Sequence, residues 1–186
     1  ESADKVANTA SVYGAFLKKI KKTAQKELIL EPAIFEINSH SHEVYNEDSN
    51  LLIKKIEGDI LYLDPPYNAR EYGANYHLLN TIAKYDNFTP KGKTGLRDYS
   101  KSAFCKKKEV EKSFDDLIKN ANFKYIFLSY NNEGIMSSET IKKILSNYGK
   151  YDLLTTEYQR FRADKKENRN HKASSTTEYL HILEKL

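Results

Sequence analysis

The sequence predicts an α/β fold, with a mostly parallel sheet that ends in an antiparallel hairpin. Two short apolar runs, Ile60-Leu61-Tyr62-Leu63 and Tyr125-Ile126-Phe127-Leu128, have the length and character of buried strands. Segments of helical period separate the strand candidates over most of the chain. The last two strand candidates, Tyr151–Phe161 and Thr177–Leu183, have only a charged loop between them and read as an antiparallel pair.

Each element follows from its local pattern. Residues 2–26 place Val6, Ala10, Tyr13, Phe16, Leu17 and Ile20 at three- and four-residue steps, which predicts one helix. Its end carries Lys18, Lys19, Lys21, Lys22 and Lys26. Cations suit a helix C-terminus, and the same cluster suits phosphate contact. Leu28–Ile37 is apolar but broken by Pro32, as in an edge strand or an extended linker. Ser39-His40-Ser41-His42 reads as a turn and Glu43-Val44-Tyr45 as a short strand. Asp48–Lys55 suits a short helix. Gly58–Leu63 reads as a strand stopped by Asp64-Pro65-Pro66-Tyr67, because two prolines cannot continue a ladder.

Ala74–Tyr85 is helical, with Tyr76, Leu78, Leu79, Ile82 and Ala83 as its apolar side. Asn87–Lys106 has no clear period and is long for a passive connection. Lys107–Asn120 reads as a helix, Phe123–Leu128 as the second buried strand and Tyr130–Gly134 as a turn. Ser137 or Ser138 caps a helix that runs to Asn147. Ligands of open α/β sheets sit beyond the carboxyl ends of strands. Segments 64–73 and 129–135 both follow buried strands and are expected side by side at such an edge.

Composition narrows the class. The chain has 186 residues, enough for one ordinary domain. Mean hydropathy is −0.72, and no apolar run approaches the roughly 20 residues that span a bilayer, which excludes a helical membrane protein. Cys105 is the only cysteine, so there is no disulfide framework, and no Cys/His cluster supports a metal site. Net charge is +4, compatible with an anionic partner without demanding one. The only methionine is Met136, the chain begins at Glu1, and no signal-peptide layout is present. The expectation is a piece of a longer cytoplasmic protein.

Asp64-Pro65-Pro66-Tyr67 is where chemistry is expected. The prolines fix the backbone, so that a carboxylate and a carbonyl can be held side by side, and an aromatic ring follows at once. Two acceptors and a flat stacking surface suit a planar group bearing an exocyclic amine, such as adenine. Acceptors aimed at that nitrogen leave its lone pair less delocalised and better able to attack an electrophile. This is positioning and electrostatic work rather than strong general base catalysis.

Asp-Pro-Pro-Tyr after a buried strand resembles the signature of DNA N6-adenine methyltransferases that use S-adenosylmethionine. The resemblance runs from Glu43 to Leu183. It takes in Val44-Tyr45-Asn46-Glu47-Asp48, Leu128-Ser129-Tyr130-Asn131-Asn132, Glu157-Tyr158-Gln159-Arg160-Phe161 and Thr177-Glu178-Tyr179-Leu180. It is closest to the DNA adenine methylases and type II modification enzymes. The resemblance implies a Rossmann-like methyltransferase fold with helices on both faces of the sheet. It implies that Asp64 and the Pro65 carbonyl accept hydrogen bonds from the adenine N6, that Pro66 shapes the loop, and that Tyr67 stacks on a base flipped out of double-stranded DNA. Asp48, with Asp64, matches the acidic cofactor positions, although Asp48 reads equally well as a helix N-cap. Arg70, Lys91, Lys93, Arg97 and Lys101 are candidate phosphate contacts, with surface solvation as the plain alternative. Asn131, Asn132 and Glu133 serve either the turn or the cleft. Lys91-Gly92-Lys93-Thr94-Gly95 lacks the spacing of a phosphate loop. Cys105 is read as incidental.

The sequence departs from this family in one respect. Its seven glycines, Gly14, Gly58, Gly73, Gly92, Gly95, Gly134 and Gly149, form no Gly-x-Gly turn to cradle the methionine part of the cofactor. The expected organisation is therefore residues 1–42 as helix and linker, ending an upstream recognition region, and 43–186 as an incomplete catalytic region. A restriction endonuclease or a missing N-terminal portion is the expected partner, and no membrane is. A catalytically silent DNA-binding or assembly module derived from such an enzyme is the alternative. Methylation of another planar amine, in RNA or on a protein glutamine, is a third.

Overall fold

A computed structural model of the chain describes Glu27, Ile29, Pro32 and residues 39–92, 95–159 and 175–186, without the side chain of Gln159. The helix expected over 2–26, most of Leu28–Ile37, Lys93 and most of the charged loop after Phe161 lie outside the described residues. The chain forms two compact units, one from residues 1–44 with 70–101 and one from 45–69 with 102–186.

The second unit holds the sheet. Its elements are α1 (Ser49–Leu52), β1 (Glu57–Leu63), a short 3-10 turn (Ala103–Cys105), α4 (Val110–Asn120), β2 (Asn122–Asn131), α5 (Ser138–Ser146), β3 (Gly149–Gln159) and β4 (Ser175–Lys185); α2 (Tyr72–Asn75) and α3 (His77–Lys84) belong to the first unit. The four strands lie in the order β1-β2-β4-β3. β1 pairs parallel with β2, and β4 runs antiparallel to both β2 and β3. The expected terminal hairpin is present. The expected mostly parallel sheet is not: among the described residues one of the three pairings is parallel. Each parallel pairing needs a long crossover; β1 to β2 has one, whereas after β3 the chain doubles back and β4 inserts beside β2.

Register decides which side chains enter the core. Leu61 is opposite Ile126 and Leu63 opposite Leu128, while Ile126 is opposite Leu183 and Leu128 opposite His181. On this face α4 contributes Val110, Phe114, Leu117 and Ile118, and α5 contributes Ile141 and Leu145, spacings that keep each set on one side of its helix. Ser137 caps α5 by accepting from the Thr140 N–H at 3.1 Å. Asn50 on α1 donates to the Ser113 carbonyl and to Asp116, at 2.8 and 2.9 Å, fastening α1 to α4. That contact holds the Asp116 carboxyl below its ordinary range. The strand expected to be buried at Gly58–Leu63 is not: none of its residues is buried, and on the opposite face of the sheet Ile60 and Tyr62 are 63% and 61% exposed, since among the described residues α4 and α5 cover only the other face.

Lys185 closes the far end of α4. Its ammonium donates to the carbonyls of Ile118 and Lys119 in the last turn and of the C-cap Ala121, where a helix leaves its carbonyls short of intrahelical partners. Replacing Lys185 with Met keeps much of the stem but removes three charge-assisted bonds. The expected loss is about 1–2 kcal/mol, read as a lower urea midpoint at unchanged m-value.

Two further local expectations fail. Glu43-Val44-Tyr45 forms no strand, and Val44 is 96% exposed. β-propensity alone does not hold three residues extended in a ladder when the central Val44 buries almost none of its surface. The helix expected over Ala74–Tyr85 is two helices, α2 and α3, divided at Tyr76. The first of them starts earlier than expected, at Tyr72, and Gly73 in it lies against Tyr99, where any Cβ would overlap that side chain. The expected end matches, at Tyr85, a left-handed residue with φ 45°.

Candidate active site

Asp64-Pro65-Pro66-Tyr67 begins where β1 ends, and Asn132–Ile135 begins where β2 ends. Because these strands are parallel neighbours, both segments emerge at the same carboxyl edge. The Ile135 N–H donates to the Tyr67 carbonyl at 2.8 Å and ties the two together. Asp64 is exposed, whereas Pro65, Pro66 and Tyr67 are half-buried. The prolines have no N–H of their own to anchor the loop; the anchor comes from the neighbouring turn.

The Tyr67 ring meets the Tyr130 ring edge-on, with centroids 6.1 Å apart and planes at 77°. Tyr130 is buried on β2, and its hydroxyl oxygen accepts from the Met136 N–H at 3.3 Å. Burial pushes the Tyr130 hydroxyl pKa up, so it stays neutral. The turn crosses over this ring at Gly134, where a Cβ would overlap the Tyr130 ring carbons. Gly134→Ala must displace either the turn or a buried ring. The expected cost is about 2 kcal/mol, measured as a lowered Tm.

Side chains shape the same turn. Asn131 accepts from the Glu133 N–H through its side chain at 3.1 Å and from the Gly134 N–H through its carbonyl at 3.2 Å. The Asn132 N–H donates to the Thr177 carbonyl at 3.1 Å, and the Thr177 N–H donates to Asn132 Oδ1 at 3.3 Å. The turn is thereby fixed to β4 as well as to β2.

Asp48 caps α1, accepting from the N–H groups of Asn50 and Leu51 at 2.9 and 3.3 Å. Its neighbour Glu47 pairs with Lys55 at 2.6 Å. Asp48 and the Asp64–Tyr67 segment both belong to the second unit.

The candidate phosphate contacts belong to the first unit. Arg70 and Lys101 are exposed. Lys91 pairs with Asp98 at 2.6 Å, both side chains open to solvent. Such a pair contributes at most about 1 kcal/mol and is readily exchanged for a phosphate. Arg97 differs: its Nη2 holds Asp86 at 2.7 Å, its guanidinium lies 4.1 Å above the Phe88 ring, and its side chain is 10% exposed. Arg97 staples its own loop, beside a cavity of ≈ 520 Å³ lined by Lys84, Phe88, Thr89, Lys91, Arg97 and Asp98. Lys93 lies outside the described residues. Among the described residues, no group of three or more His, Cys, Asp or Glu is placed to hold a metal ion, and no helix is long and apolar enough to cross a membrane. Cys105 is buried.

Residues 1–144 match the model of the D12 class N6 adenine-specific DNA methyltransferases. The chain belongs to this family. Among curated members, the D12 chain is 70% identical over 185 residues to the type II methyltransferase M.NlaIII of Neisseria lactamica, covering 100% of this chain and 55% of that protein. It is 43% identical over 190 residues to M.FokI of Planomicrobium okeanokoites, covering 100% of this chain and 29% of that protein. It is 44% identical over 166 residues to M.CviAII of Paramecium bursaria Chlorella virus 1, covering 87% and 49%. The D12 chain thus spans about half the length, or less, of these relatives. No solved structure matches it.

Sequence reasoning placed the Asp-Pro-Pro-Tyr segment of this D12 chain at a strand end but missed its buttress, Tyr130 with Gly134 and the Ile135 N–H. The available signal was Gly134 itself, a glycine directly after Asn131-Asn132-Glu133 at the end of a buried strand.

Proposed function

We propose that this chain carries the base-accepting part of an enzyme that methylates N6 of adenine in double-stranded DNA, as a modification methylase of a restriction-modification system in the cytoplasm. The observation that carries the reading is the Asp64–Tyr67 segment, seated at the carboxyl end of β1 and tied to the end of β2 by the Ile135 N–H. In this reading the target adenine leaves the duplex and lies on Tyr67. Asp64 and the Pro65 carbonyl accept from its amino group, and Pro66 keeps the loop rigid. These acceptors localise the nitrogen lone pair as the new bond forms, and they act by fixed position rather than by proton abstraction. Arg70, Lys91, Lys93 and Lys101 take phosphates, with Lys91 exchanging Asp98 for one of them, while Arg97 stays on Asp86 and holds the loop.

S-adenosylmethionine would supply an electrophilic methyl group. The fit of this chain to that cofactor is partial. The chain offers Asp48 and Asp64 but no Gly-x-Gly turn, and the Asp48 carboxylate already caps α1. We assign the methionine cradle to other residues and derive no step through the cofactor. Those residues have a natural place in a Rossmann-like sheet. Among the described residues β1 is an edge strand, and an edge strand is a template for one more strand.

Transfer of labelled methyl from S-adenosylmethionine to a duplex is the test, run with the intact methyltransferase that carries this chain. Incorporation at adenine N6 supports the reading. DNA binding without incorporation favours the silent-module alternative.

A further inference from the structure

We propose that Tyr130 is a positioning residue for base capture: it acts through Tyr67, as the fixed wall against which the base-stacking ring is set. This rests on the reading that Tyr67 stacks on the target adenine. Four observations support it. Tyr130 touches the Tyr67 ring edge-on at 6.1 Å, an arrangement in which the positive edge of one ring meets the negative face of the other. Tyr130 is itself enclosed: it is 2% exposed and its hydroxyl oxygen accepts from the Met136 N–H. Gly134 lies so close against the Tyr130 ring that any Cβ there would overlap its carbons. The backbone of Tyr67 is tied to the same turn by Ile135. Ring and backbone of Tyr67 are therefore both referred to one rigid block, formed by the end of β2 and the turn that follows it. A stacking platform loses binding free energy if it must be ordered as the base arrives; a ring already held by Tyr130 does not.

The role differs from core filling in what it predicts. A core residue acts on stability alone, and its effect on catalysis adds to that of Tyr67. A positioning residue acts only while Tyr67 is present. The experiment is a double-mutant cycle in the intact methyltransferase, with Tyr67→Ala, Tyr130→Leu, Tyr130→Phe and the Tyr67→Ala/Tyr130→Leu pair. kcat and KM are measured separately for DNA and for S-adenosylmethionine, well below each variant's Tm. One lost base–aromatic stack is expected to lower kcat/KM for DNA roughly tenfold or more in Tyr67→Ala. Tyr130→Leu is expected to lose a large part of the same factor with KM for S-adenosylmethionine unchanged, and Tyr130→Phe, which keeps the ring, to stay within a fewfold of the wild type. The double variant is expected to be no worse than Tyr67→Ala.

Effects that simply add in the double variant overturn the proposal, because Tyr130 then acts independently of Tyr67. So does a Tyr130→Leu enzyme with unchanged kcat/KM for DNA. If Tyr67→Ala leaves kcat/KM for DNA intact, the base-stacking reading falls instead. Amide exchange of Ile135 in the present chain then judges the buttress alone. Faster exchange at Ile135 in Tyr130→Leu, with β2 core amides still protected, supports it, and unchanged exchange overturns it.

Discussion

Asp64→Ala is expected to lower kcat for methyl transfer to DNA by roughly a thousandfold, the scale seen when one preorganised polar partner of a developing charge is removed. In the proposed site the carboxylate holds one hydrogen of the amino nitrogen as that nitrogen acquires positive charge. Its contribution therefore grows along the reaction coordinate and falls mainly on kcat. The fold should not notice the change. Asp64 is exposed, and substitutions at such positions usually stay within about 0.5 kcal/mol. The measurement is single-turnover methyl transfer with saturating DNA, accompanied by a thermal melt and a gel shift. A variant retaining more than about a tenth of wild-type kcat would remove Asp64 from the role given to it.

Acid lability centred on His181 is the second large expectation. His181 lies on β4 and is fully buried; its Nδ1 shares a 2.9 Å hydrogen bond with the Tyr151 hydroxyl, and its Nε2 is buried without a partner. Burial lowers its pKa from 6.5 to about 4. The folded state thus resists a proton that the unfolded chain accepts. Above pH 6.5 both states hold neutral imidazole and the fold has its full stability. As pH falls from 6.5 toward 4, only the unfolded state gains the proton, and stability is lost. Over that interval the loss is about 3 kcal/mol. Urea midpoints at pH 7 and pH 4.5 read it directly. His181→Leu should flatten the pH dependence; an equally steep fall in that variant would place the acid-sensitive group elsewhere.

Parts of this molecule are legible in its sequence because their causes are local. Ile60–Leu63 and Tyr125–Leu128 announce themselves as strands through apolar and β-branched residues, and the two prolines after Asp64 declare where β1 must stop. The Ser137 cap and the Asp48 cap are each read from one side chain at the start of a helix. The position of β4 is not local. It lies between β2 and β3 because of pairings made across the sheet, and that placement buries His181 at a position that reads as an ordinary polar residue in an alternating strand. Arg97 shows the same limit. Counted as a cation, it belongs with the candidate phosphate contacts; Asp86, eleven residues away, and Phe88 decide where its guanidinium points. Gly134 could be seen as a turn former, but which ring it admits is settled only when β2 and the turn are folded together.

The strand order has a consequence for biosynthesis. β4 is the last of the four strands to leave the ribosome, yet it occupies an interior place in the sheet. Until Ser175–Lys185 has emerged, β3 has no partner to join it to β2, and the carbonyls at the end of α4 lack the Lys185 ammonium. Only the β1–β2 pair can form as the chain emerges in order. The rest of the sheet stays open until translation has passed β4, and a ribosome stalled before Ser175–Lys185 emerges would hold a nascent chain in which β2 lacks one neighbour and β3 lacks its pairing with β4.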